Sequence, residues 1–223
     1  MIRILQSKQV GRLFARRASR LGEAEAVVRP ILEAVRKRGD RALLEYARKF
    51  DGLQRKSVRV PPQELVAAAA ALSPQFVLAA RAAWGNICQF AAMQMPSPWM
   101  QEIAPGLRLG QIVRPIDSVA AYIPGGRYPL PSTVMMTVLP AQVAGVKNIS
   151  VDCPSEAPEV RGTAHLLGVE NVFQMGGAQA IAAFADCVQN RTHHRLRLAE
   201  PRRAAGEQAP DLFRFEDANH LVT

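Results

Sequence analysis

The chain has 223 residues, 48% of them hydrophobic and 21% charged, a globular balance that excludes a disordered or fibrous protein. Three separated cysteines (Cys88, Cys153, Cys187) contain no Cys-x-x-Cys pair, which argues against a disulfide framework or thiolate zinc site and for a reducing, cytoplasmic setting. The net charge of +9 lies in the first sixty residues, where 16 Lys/Arg stand against 6 Asp/Glu. That excess has two readings: a nucleic-acid contact face, or a helical face that is solvated or meets an acidic partner. Aromatics at only 6%, with no binding motif beside the charge, favour the second.

Met1–Gly11 lacks the apolar core and cleavage site of a signal peptide. From there the chain reads as helices. Glu23–Arg38 carries Val27, Ile31, Ala34 and Val35 on one stripe. Gly39 is expected to stop that helix and Asp40 to cap the next, Arg41–Lys49, which ends at Phe50-Asp51-Gly52. Ser57–Val60 reads as a short extended piece, and Pro62–Leu72 as an alanine-rich helix. Ser73-Pro74 places an N-cap and an N1 proline on a helix running to about Gln94, and Pro96, Pro98 and Pro105 then make a linker.

From Gly110 the pattern becomes strand–helix–strand–helix–strand: Ser118–Ile123, Ser132–Ala144, Asn148–Val151, Pro158–Leu167 and Asn171–Met175, with a third helix from Gln179. The expected fold class is α/β, a helical N-terminal region (1–109) followed by a partial Rossmann-like parallel sheet (110–185). Residues 186–223 hold six Arg and six acidic residues without periodicity, so this tail is expected to be disordered. The uncharged stretches 82–101 and 128–146 are broken by prolines and amides, and no membrane span is expected.

Ligands of a parallel sheet gather at the carboxyl ends of its strands. Gly125-Gly126 follows the first strand there and Gly176-Gly177 the third, but neither is a dinucleotide or Walker fingerprint. Two readings stay open: loops that let backbone amides approach a ligand, or tight βα turns. Tyr122 ends the first strand and Gln179 opens the third helix, each a candidate contact or a packed residue. His165 has no ligating partner at helical spacing, and His193-His194 and His220 lie in the irregular tail, so no metal site is expected. No nucleophile–base arrangement is visible, and no catalytic residue is assigned.

Several segments, in order, resemble the N-terminal portion of bacterial histidinol dehydrogenase over residues ~10–185. They are Arg38-Gly39-Asp40, Phe50-Asp51-Gly52, Tyr122-Ile123-Pro124-Gly125-Gly126, Pro131-Ser132-Thr133-Val134, Ala144-Gly145-Val146-Lys147 and Gly176-Gly177-Ala178-Gln179-Ala180. The resemblance implies NAD-dependent oxidation of L-histidinol to L-histidine in histidine biosynthesis, a small-molecule substrate, a bound zinc and a homodimer. It implies that Tyr122, Gly125, Gly126 and Gln179 form the cofactor site. The family's Gly-Pro-Gly-Asn segment, its zinc ligands and its Glu-His acid–base pair have no counterpart here. A truncated enzyme is therefore expected, without turnover by this chain alone. The alternatives are a non-catalytic NAD-binding or subunit-interaction module and a basic nucleic-acid-binding protein.

Overall fold

The computed structural model describes residues 21–189. Two helices open it, α1 (Leu21–Arg38) and α2 (Asp40–Asp51), and two more follow, α3 (Pro62–Ala70) and α4 (Pro74–Met93). Gly39 takes a positive φ of 57° and is itself the N-cap of α2, without a side-chain capping bond. The expected Asp40 cap is thus corrected, because Asp40 already lies inside the first turn. Ser73 behaves as read: its hydroxyl accepts from the Phe76 N–H at 3.2 Å, and Pro74 takes the first helical position.

The proline-marked linker is the main departure. It contains an antiparallel hairpin, β1 (Trp99–Ala104) and β2 (Leu107–Gln111), turning at Gly106 with φ 78°. The prolines fall just outside: Pro96 and Pro98 precede β1 and Pro105 sits in the turn, so neither ladder loses a donor. A division at 109/110 passes through β2.

The expected alternation then appears as β3 (Ser118–Tyr122), α5 (Pro131–Val143), β4 (Asn148–Asp152), α6 (Pro158–Leu166), β5 (Asn171–Phe173) and α7 (Gly177–Gln189). β3, β4 and β5 form a parallel sheet in that order. Ser57–Val60 is extended as read and lines the free side of β5: Val60 N–H donates to Val172 O at 2.8 Å, and Gln174 N–H to Val58 O at 2.7 Å. α7 carries the chain past residue 185; the rest of the tail expected to be disordered, 190–223, lies outside the described residues.

Strand alternation sorts the core onto the two faces of the sheet. Ala121, Ile123, Val151 and Val172 join Val134, Val138 and Leu139 of α5, Val160 and Ala164 of α6, and Leu65 of α3. Tyr122 and Phe173 belong to the opposite face, with Val35 of α1, Leu43 and Ala47 of α2, and Ala180 and Ala183 of α7. Helices from before the hairpin therefore complete both layers over a sheet from after it. α3 and α6 pack so closely that a Cβ on Gly162 would lie 2.8 Å from the Ala68 carbonyl oxygen.

Candidate functional site

The register places Tyr122, Asp152 and Phe173 in one row across the carboxyl ends of the three strands. Two glycine loops leave this edge and meet over Pro154. A Cβ on Gly125 would lie 2.6 Å from Pro154 Cγ, and one on Gly176 would lie 3.2 Å from the same ring. Glycine at both positions is what allows the loops to close on that proline. Gly177 is exposed with φ 61°, and its N–H donates to Tyr122 Oη at 3.3 Å. Gln179 is 1% exposed, and its Nε2 donates to Asp51 Oδ2 at 3.1 Å. Tyr122, Gly125 and Gln179 thus belong to one cluster. Gly126 stands apart on the exposed loop, with only the Tyr128 carbonyl oxygen near its open side, at 3.9 Å.

Two carboxylates in the cluster escaped the sequence reading. Asp51, the last residue of α2, accepts from the Gly176 N–H at 2.9 Å and from Gln179. Burial pushes its carboxyl up, and these two donors pull it back. Asp152 is wholly buried, between Val151 and Cys153. Its carboxyl is pushed up to about 9, chiefly by burial, with ionised Asp51 adding to the rise. Neither Asp152 oxygen has a hydrogen-bond partner of good geometry, although the nearby Met175 backbone amide favours ionisation and opposes the rise more than Asp51 adds to it. Asp152 is therefore a neutral acid near pH 7. In sequence the strand reads as Asn148–Val151, one residue short of this acid, so nothing there marks Asp152 as buried.

A second polar group braces the loop from the other face of the sheet. Gln174 accepts from Arg161 at 2.9 Å and from Arg55, and donates to Glu156 at 2.8 Å. Glu64 of α3 binds Arg55 at 2.6 Å and Arg161 at 3.1 Å. Two cations and two anions balance around a buried amide, which suits bracing rather than ligand capture.

Among the described residues no three His, Cys, Asp or Glu side chains converge to hold a metal ion. A shallow cavity of about 150 Å³ lies between α2 and the Lys56–Arg59 segment. It includes none of the cluster residues and is below the roughly 300 Å³ at which small-molecule pockets begin. No described helix is long and apolar enough to cross a membrane by itself; the bent pair α3–α4 meets that test only jointly.

Fold and site together define an α/β protein with helices on both faces of a parallel sheet and its conformationally specialised loops at the strands' carboxyl ends. The chain belongs to the histidinol dehydrogenase family, whose model matches residues 14–192. It is 42% identical over 184 residues to the histidinol dehydrogenase of Methanothermobacter thermautotrophicus, covering 80% of this chain and 43% of that protein. Against the Salmonella choleraesuis enzyme it is 46% identical over 159 residues, 71% of this chain and 37% of the relative. The crystal structure of histidinol dehydrogenase from Elizabethkingia anophelis superposes with a TM-score of 0.73 at 34% identity, covering 80% of this chain and 42% of that one. The chain thus spans about two fifths of the length of these relatives.

Proposed function

We propose that this chain forms the nicotinamide-cofactor side of a histidinol dehydrogenase-type oxidoreductase, with a cofactor site of Tyr122, Gly125, Gly126 and Gln179 in which Gln179 supports the loop from beneath. The observation that carries the reading is the hydrogen bond from the Gly177 N–H to Tyr122 Oη, which joins segments 55 residues apart at the carboxyl edge of the sheet. The residues suit a dinucleotide. Gly126 leaves open room on an exposed loop, and α7 begins at Gly177, whose N–H reaches Tyr122 at the same edge of the sheet. NAD, when bound, supplies the hydride acceptor for oxidation of a small amino alcohol such as L-histidinol.

The chain's own residues hold and orient that cofactor. Tyr122 fixes the start of α7 through Gly177, and Gln179 sits beneath the loop rather than on its surface. Zinc does not fit the described residues, since no ligand set converges among them. A cytoplasmic setting accords with the free thiols of Cys88 and Cys153. The hairpin supports a second reading as a subunit-interaction module, because Trp99, Met100, Ile103, Leu107 and Leu109 are all at least half exposed.

Titration calorimetry with NAD tests the first reading. The expected dissociation constant is millimolar or weaker, on the order of −4 kcal/mol, because the loops form an open edge rather than an enclosed pocket. Tyr122→Ala and Gln179→Ala should each weaken binding further, with thermal melting run alongside because Gln179 is buried. Binding that neither substitution weakens would place the cofactor elsewhere.

A further inference from the structure

We propose that Asp51 is a positioning residue for the cofactor site, one that locks the Gly176-Gly177 loop and the Gln179 amide in place; this rests on the cofactor reading above. A carboxylate at the last position of a helix is opposed by the helix dipole, so α2 gains nothing from Asp51. Its setting is nevertheless fixed. Gly52 turns the chain out of α2 in the left-handed conformation, φ 66°, directly after it. The carboxylate then points to the beginning of another helix, where the dipole favours it. Gly176 precedes α7, and its carbonyl accepts the first helical bond, from the Ala180 N–H at 3.4 Å. Asp51 Oδ2 takes the N–H of this residue at 2.9 Å and the Gln179 amide at 3.1 Å.

The fit is reciprocal. A Cβ on Gly176 would come within 2.8 Å of Asp51 Oδ1, so this approach requires glycine there. The same glycine rests on Pro154, against which Gly125 also closes. One carboxylate therefore ties the α7 loop to α2, the shared proline ties it to the first glycine loop, and Gly177 ties it to Tyr122. What Asp51 supplies to the cofactor site is acceptor oxygen at a fixed place; its charge serves the start of α7, not the cofactor. A carboxylate near a dinucleotide pyrophosphate is, if anything, repulsive.

The test uses the full 223-residue chain, amide hydrogen exchange without ligand, and NAD titration. Asp51→Ala should speed exchange at Gly176 and Gly177 and weaken NAD binding about tenfold, the loss expected for a hydrogen-bonded charged partner. Asp51→Asn keeps an acceptor oxygen and should restore both to within about threefold of the unaltered chain. Should Asp51→Ala not fold, Gly176→Ala keeps the carboxylate but forces it away, and should loosen the same amides. Unchanged exchange at Gly176 in both variants would overturn the proposal, as would NAD affinity unaffected by Asp51→Ala. Loosened amides in a chain whose unaltered form binds no NAD would overturn the cofactor reading while supporting the clamp.

Discussion

Asp152 shows how one buried acid makes stability depend on pH. Its carboxyl lies at about 9 in the folded chain, whereas an unfolded aspartate sits near 4. Between those values the folded chain holds a proton that the unfolded chain has released, so stability falls as pH rises. The contribution is fully present below about pH 4 and is lost progressively up to about pH 9. Replacing the acid with an apolar residue of similar size, Asp152→Val, should stabilise the chain by about 1–3 kcal/mol at pH 8, the usual range for a buried group without good partners. The gain should shrink toward pH 5. Chemical denaturation at a series of pH values checks this, and a variant with the same pH slope as the parent would show that Asp152 is not the titrating group. In sequence this residue is an Asp just past a short strand read as Asn148–Val151; its depth and its neighbour Asp51 come only from packing.

Among the elements, α3 and α6 meet through Gly162. An alanine there gains up to about 1 kcal/mol of helix propensity. It also drives a Cβ to 2.8 Å from the Ala68 carbonyl and 2.9 Å from Leu72 Cδ1, and the first of these is backbone that cannot swing away. Gly162→Ala should therefore destabilise by about 1–3 kcal/mol, as overpacking does. A urea unfolding midpoint equal to or above that of the parent would count against so tight a contact. The helices themselves were legible, because capping residues and 3.6-residue periodicity act over a few residues. The hairpin was not. Its strands expose Trp99, Met100, Leu107 and Leu109 and show no buried face, and three prolines around them read as a linker.

At the scale of the whole molecule, the two cores mix residues from before and after the hairpin. Leu65 packs with Ile123 and Val138 on one face of the sheet, and Val35 and Leu43 with Phe173 and Met175 on the other. Residues 110–185 expressed alone would lose the α1, α2 and α3 side chains from both cores, leaving each face partly uncovered, and should show no cooperative melting by circular dichroism. A sharp transition in that piece would mean that the sheet holds its own core.

The order of strands and helices after Gly110, the helix break at Gly39, the cap at Ser73, and the glycine loops at the sheet edge were all determined by the sequence itself. Each rests on interactions between residues close along the chain. Only the tertiary structure decided that Asp51 meets Gly176 across 125 residues, that Arg161 and Arg55 share Gln174, and that Gln179 lies beneath its loop rather than on it. Those pairings depend on which surfaces are buried against each other, and no local propensity or periodicity carries that information.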